Sequence, residues 1–127
     1  MSGPIRTLLV DDEPLVLTSL RRLLRREDFE VSLCASGAEG LAHLEAHAAD
    51  LVVSDYMMPG MNGLAFLEQV RARWPRPARV LLTAQADQTL VERALGSGLL
   101  HLALRKPWEN GALIAALRQV VRAVQPT

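Results

Sequence analysis

Ile5-Arg6-Thr7-Leu8-Leu9-Val10-Asp11-Asp12-Glu13-Pro14 is the stretch on which the fold turns. A short, mostly apolar run stops abruptly at three acids, and a proline follows. The run reads as a buried strand and the acids as a turn. Pro14 then sits in the first turn of a helix, where its missing N–H does no harm. That helix is expected to carry Leu15, Leu20, Leu23 and Leu24 toward a core, with Arg21, Arg22, Arg25 and Arg26 mainly on another face.

The same grammar repeats down the chain. Phe29 to Cys34 alternates Phe29, Val31 and Leu33 with polar partners, a second strand. Ser36 is placed to cap the next helix, with Glu39 completing a capping box and Leu41 and Leu44 facing inward. Asp50 to Ser54 is a third strand, stopped by Asp55. Asn62 then caps a helix bearing Leu64, Leu67 and Val70. Pro75 and Pro77 break the chain before a fourth strand, Ala78 to Leu82, which ends at Thr83. A helix around Asp87 to Leu95 stops at Gly96 or Gly98, a left-handed cap. A fifth strand spans Leu99 to Leu104, followed by Lys106-Pro107. A last helix repeats Leu113, Ile114, Leu117, Val120, Val121 and Val124 at the helical period. Met1–Pro4 and Gln125–Thr127 read as loose ends.

Five strand–helix units in 127 residues give one α/β domain of three layers, a parallel sheet covered on both faces. Strands that are continuously apolar fit that burial. Half of the residues are apolar, enough for a real core. Fourteen basic and fourteen acidic side chains cancel, which argues against nucleic-acid binding by bulk charge. One cysteine, Cys34, excludes an internal disulfide and a multi-cysteine zinc site, and it reads as a small buried hydrophobe. No apolar run approaches the roughly 20 residues of a membrane span, and no leader pattern opens the chain. The expectation is a reduced cytoplasmic domain without membrane contact.

In such folds ligands sit beyond the carboxyl ends of the strands. There the sequence places Asp11 and Asp12, then Asp55, then Thr83, then Lys106. Any one of them alone is ordinary, since an aspartate after a strand is usually a turn former and a lysine before proline is usually surface charge. Their conjunction at four strand ends is the informative feature. Carboxylates about 4 Å apart repel by roughly 4 kcal/mol per pair at an effective dielectric of 20. Either their pKa values rise or a hard divalent cation sits among them. Oxygen-only ligands favour Mg2+ or Mn2+ over zinc. A metal, an ammonium and a hydroxyl around one carboxylate are suited to stabilising a phosphoryl group on it.

Leu8–Pro14, Asp55-Tyr56-Met57-Met58-Pro59-Gly60-Met61-Asn62-Gly63, Leu81-Leu82-Thr83-Ala84 and Lys106-Pro107 together resemble the receiver domain of two-component response regulators. The resemblance covers about residues 5–124. It implies a flavodoxin-like (βα)5 fold with strand order 2-1-3-4-5. It implies Asp55 as phosphoacceptor from a sensor histidine kinase or phosphotransfer protein. Asp11, Asp12, Asp55 and the backbone carbonyl of Met57 would hold Mg2+. Lys106 would contact the phosphoryl group and, before phosphorylation, Asp55, while Thr83 would hydrogen-bond a phosphoryl oxygen. The Lys106-Pro107 bond is cis in the family. The resemblance further implies a signalling switch rather than a metabolic enzyme. Its partners would be a C-terminal output domain or an effector protein, or a second copy through the fourth helix, fifth strand and fifth helix. The 127 residues would then be one receiver domain, whole or the first part of a longer protein.

Receivers commonly carry Tyr, Phe or His three residues before the lysine; here that position is Ala103. His101, two residues earlier, is expected on the same sheet face by strand periodicity. Trp108 after Lys106-Pro107 resembles receivers attached to hydrogenase-regulating activators or HD-GYP phosphodiesterases, or it simply packs. His43 and His47 share a helix face but lack nearby ligand partners. Two other functions compete. An aspartyl-nucleophile phosphatase of the haloacid-dehalogenase type favours Asp-x-Asp, and Asp55-Tyr56-Met57 lacks the second acid. A receiver-shaped docking module that is never phosphorylated would not need Asp12, Asp55, Thr83 and Lys106 together.

Overall fold

A computed structural model describes residues 3–124, so the ends at 1–2 and 125–127, read as loose from sequence, lie outside the described residues. Strands β1 (Ile5–Val10), β2 (Phe29–Cys34), β3 (Leu51–Ser54), β4 (Ala78–Thr83) and β5 (Leu102–Arg105) alternate with five helices. These are α1 (Pro14–Leu24), α2 (Gly37–Ala46), α3 (Gly63–Arg73), α4 (Gln88–Gly96) and α5 (Asn110–Val124). The sheet is parallel throughout, in the order β2-β1-β3-β4-β5. The flavodoxin-like arrangement is therefore observed.

Strand alternation divides the core into two halves. Leu8, Val10, Val52 and Leu81 face one side, where Leu44 of α2, Phe66, Leu67 and Val70 of α3, and Val91 and Ala94 of α4 cover them. Leu9, Leu51, Val53, Val80 and Leu82 face the other, against Leu17, Leu20 and Leu24 of α1 and Leu113, Leu117 and Val121 of α5. Trp108 is half-buried against this second cluster, and its indole N–H donates to Asn110 Oδ1 at 3.1 Å, the packing role. The chain runs out to β2 and returns past β1 to β3, so the strand order reverses between β1 and β3. Crevices of ligand size form at that reversal.

Most helix starts follow the sequence. Ser36 Oγ accepts from the Glu39 amide at 3.1 Å, and Glu39 in turn accepts from the Ala35 amide, one residue before the cap. Asn62 Oδ1 accepts from the Ala65 amide at 2.9 Å. Cys34 is buried and free, and burial pushes its thiol pKa up.

Several expectations are corrected. Leu15 does not face the core but is 82 % exposed. The inward stripe of α1 is Leu17, Leu20 and Leu24, spaced three and four apart, and Leu15 lies two residues off that row. Asp50 precedes β3 rather than opening it. Its carboxylate accepts from the amide and guanidinium of Arg6. Strand β5 starts at Leu102, not Leu99. The reason is Arg79, which is buried in β4 without an acidic partner among the described residues. Its guanidinium donates to the carbonyls of Leu99, Gly98, Pro75 and Pro77. The backbone of 98–99 is thereby taken out of the ladder, with Gly98 in the left-handed region at φ +82. His101, two residues before Ala103, lies just ahead of β5. It pairs with Arg79 near the start of β4, its amide donating to the Arg79 carbonyl and its Nδ1 accepting from the Arg79 amide, both at 2.9 Å.

A candidate phosphoryl-acceptor site at the strand ends

β1 delivers Asp11 and Asp12, and β3 delivers Asp55, to one edge on either side of the reversal. Register sets this convergence: Val10 pairs with Ser54, so the acids that follow each strand emerge side by side. Carboxylate oxygens of Asp11, Asp12 and Asp55 all lie within 4.8 Å of one another. Asp11 and Asp55 are buried, and Asp12 is exposed. From β5, Lys106 reaches into the group. Its Nζ is 2.7 Å from Asp11 Oδ2, 3.4 Å from Asp55 Oδ2 and 3.7 Å from Glu13 Oε1. Lysine therefore sits closest to Asp11, and spans to Asp55, rather than serving Asp55 alone. The peptide bond from Lys106 to Pro107 is cis.

Backbone groups fix the acceptor. The Asp55 amide donates to the Val10 carbonyl at 2.9 Å, and Asp55 Oδ1 accepts from the Tyr56 amide at 2.8 Å. Buried Ser54 donates its hydroxyl to the Asp55 carbonyl at 2.8 Å. Gly63 closes the far side, because a Cβ there would stand 2.0 Å from the Asp55 carbonyl oxygen. Thr83 Oγ1 donates to the Gln85 carbonyl at 3.0 Å and accepts the Gln85 amide at 3.3 Å, which holds the loop after β4. Asp12, Glu13, Asp55, Met57, Thr83 and Lys106, with the loop at 84–85, line a cleft of about 330 Å3.

One ammonium cannot balance this many acids. Each carboxylate pair within 4.8 Å costs roughly 3.5 kcal/mol or more at an effective dielectric of 20. Burial raises the Asp11 pKa; hydrogen bonds from Lys106 and the Glu13 amide offset this only partly, and the Asp55 charge adds to it. Burial alone would lower the Lys106 pKa, but the hydrogen bond to Asp11 and the charges of Asp11 and Asp55 outweigh it and raise it. The set is all oxygen, partly buried and short of positive charge, the donor chemistry that fits a hard divalent cation. His43 and His47 stack with centroids 4.7 Å apart, and no third ligand joins them among the described residues.

All five side chains singled out from sequence meet at this edge, with Met57 lining the same cleft. Sequence reasoning missed Glu13 as a neighbour of Lys106, the Tyr56 amide and the steric role of Gly63. All three lay inside the quoted motifs, but neither the reach of Lys106 to Glu13 nor the closeness of Gly63 to the Asp55 carbonyl shows in residue type. A backbone amide leaves no mark on a sequence.

A doubly wound α/β domain carries here an acidic nest, bridged by lysine, at the point where strand order reverses. The chain belongs to the response regulator receiver domain family, whose sequence model matches residues 7–118. Members of that family are signalling switches phosphorylated by histidine kinases. The hydrogenase transcriptional regulatory protein HoxA of Cupriavidus necator is 34 % identical over 116 residues, covering 91 % of this chain and 24 % of that protein. The sensory transduction protein RegX3 of Mycolicibacterium smegmatis is 35 % identical over 116 residues, 91 % of this chain and 50 % of that one. The chain thus spans between a quarter and a half of these relatives' length. Among solved structures, the signal receiver domain of an HD domain-containing protein from Pseudomonas fluorescens superposes with a TM-score of 0.89 at 29 % identity. That match covers 97 % of this chain and 90 % of that one. A CheY-like receiver domain from Methanospirillum hungatei gives 0.89 at 26 % identity, covering 95 % and 96 %.

Proposed function

We propose that Asp55 is the phosphoacceptor of this receiver domain, and that its phosphorylation changes a surface read by a partner. The observation that carries the reading is the approach of Asp11, Asp12 and Asp55 within 4.8 Å, with Lys106 between two of them. Asp55 is held through Oδ1 by the Tyr56 amide, which leaves Oδ2 toward Lys106 as the attacking oxygen. The donor is the phosphohistidine of a sensor kinase or phosphotransfer protein. A new P–O bond forms at Asp55 as the P–N bond breaks, and the bonding pair leaves with the imidazole. Asp11, Asp12 and Asp55, with the Met57 carbonyl, would hold Mg2+ or Mn2+, which supplies charge neutralisation for the phosphoryl oxygens. Lys106 contributes a second, fixed positive charge on the same side.

The switch follows from Thr83. To donate to a phosphoryl oxygen, its hydroxyl must release the Gln85 carbonyl it now binds. A hydrogen bond to a charged acceptor is worth about 1.5–3 kcal/mol, so the exchange can shift the loop after β4 by roughly tenfold to a hundredfold. An output domain or effector protein would read that shift through α4, β5 and α5, a face on which two copies could also pair. The proposed setting is a cytoplasmic receiver domain spanning 1–127 (core 5–124) that acts on protein partners rather than on nucleic acid directly. No described helix is long and apolar enough to cross a membrane.

The test is intact-protein mass spectrometry with acetyl phosphate and Mg2+. One stable phosphoryl group per chain, absent from Asp55→Asn, supports the switch. Continuous phosphate release at enzyme-like rates would make the protein a phosphatase. No uptake would make it a docking module.

A further inference from the structure

Beside the acidic cleft lies a second hollow, about 680 Å3 against about 330 Å3 for the cleft. It opens between the carboxyl halves of β4 and β5 and helix α4. Leu81 and Ala103, paired in register, form its floor, and Val91 of α4 forms a wall. Ala103 offers a single methyl group here, which leaves the space open. The rim carries Met57 and Leu95, exposed to 57 % and 40 %. It also carries Arg105, the exposed last residue of β5, which has no ion pair among the described residues. Met57, Thr83 and Gln85 line both this hollow and the cleft.

We propose that this hollow receives a segment of a partner protein, an aromatic side chain filling the space over Ala103 with a carboxylate one or two residues away paired to Arg105. Two charges border the apolar floor, Arg105 and Asp87; Asp87 Oδ1 already accepts from the Thr89 and Leu90 amides at the start of α4, which leaves Arg105 as the charge without a partner among the described residues. That setting calls for an aromatic with a nearby carboxylate, and a single aromatic anchor in a pocket is the usual source of binding energy at an interface. A second copy of the chain is poorly furnished for the role. Among the described residues Phe29 and Phe66 are buried, and Tyr56, Trp74 and Trp108 are half-buried. The large apolar side chain farthest out in solvent among the described residues is Leu15 at 82 %, ahead of Met57, which belongs to the rim itself. Since Thr83 and Gln85 border both spaces, the partner and the phosphoryl group must influence each other's occupancy by the same factor. That coupling rests on the phosphoacceptor reading; the docking does not.

The experiment is selection of a random peptide library displayed on phage, against the chain with and without acetyl phosphate and Mg2+. Selected peptides are then titrated by fluorescence anisotropy against the parent, Ala103→Phe and Arg105→Glu. The expected consensus is Phe, Tyr or Trp with Asp or Glu within two positions. Ala103→Phe fills the hollow and should weaken binding by about tenfold or more. Arg105→Glu, an exposed change that leaves the core untouched, should do the same and reselect Lys or Arg beside the aromatic. Absence of a consensus, or affinity unchanged by Arg105→Glu, overturns the proposal. So does concentration-dependent self-association that blocks the hollow and is removed by Leu15→Gln. Mass spectrometry of the same samples keeps the two readings apart. Peptide binding without phosphate uptake sinks the phosphoacceptor reading alone, and uptake without peptide binding sinks this one alone.

Discussion

Replacing Gly63 by alanine adds one methyl group at the most crowded point behind the acceptor. That Cβ would stand 2.0 Å from the Asp55 carbonyl oxygen, 2.9 Å from its carbon and 3.0 Å from Tyr56 Cα. Ordinary contact begins near 3.4 Å, so backbone must move by about 1.4 Å to make room. Neither side yields easily. The Gly63 amide is tied to the Tyr56 carbonyl at 2.8 Å, and the Asp55 carbonyl accepts the Ser54 hydroxyl at 2.8 Å. Overpacking of this kind costs about 1–3 kcal/mol, and two pinned backbone segments place it at the upper end. For a chain of this size the melting temperature should fall by about 10 °C. Gly96→Ala is the matched control, because its Cβ meets nothing within 4 Å and lies in helix α4. It should gain up to about 1 kcal/mol from helix propensity. Thermal unfolding followed by circular dichroism reads both. Phosphorylation of Gly63→Ala should slow by about a hundredfold, since displacement of the nucleophile by an ångström costs that much. A Gly63→Ala chain as stable as the parent would refute the steric account.

Three further outcomes follow from other contacts. Arg79→Met removes four hydrogen bonds to loop carbonyls, and urea denaturation should show a loss of about 3 kcal/mol; an unchanged midpoint would mean those bonds contribute nothing. Burial, and then the charges of Arg79 and Arg71, depress the His101 pKa. The folded chain then binds fewer protons than the unfolded one just below the ordinary value near 6.5, so stability should drop as pH falls through that window. His101→Gln keeps an acceptor for the Arg79 amide without titrating, so the urea midpoint should depend less on pH; an equal dependence would assign it to His43, whose pKa burial and His47 also lower. Finally, Asp12→Asn relieves repulsion in the acidic nest, so in chelator its melting temperature should exceed the parent's, whereas added Mg2+ should raise it less than it raises the parent's. A variant that melts below the parent in chelator would contradict the charge argument.

The strand ends were legible because four of the five runs stop at polar residues that are ordinary singly and informative together, and β1–β3 register then brings Asp11 and Asp55 together. The helices were legible wherever a cap and a period agreed, as at Asn62 with Leu67 and Val70. Phe66, wholly buried on the same face of α3, was passed over because the leucine spacing alone satisfied the pattern. Arg79 defeated sequence reading. Its acceptors are carbonyls at 75, 77, 98 and 99, and no side chain announces them. The misplaced start of β5 descends from that one buried guanidinium, and the His101 imidazole is tied to the Arg79 main chain beside it. The Ala103 hollow was visible only as a small residue, not as a volume.

The central claim is that Asp55, and no neighbouring acid, takes the phosphoryl group. Borohydride reduces an acyl phosphate to the alcohol, so reduction after treatment with acetyl phosphate and Mg2+ marks the acceptor permanently for peptide sequencing. The account predicts homoserine at position 55 and aspartate retained at 11 and 12. Homoserine at 11 or 12, or aspartate intact at all three, would contradict it.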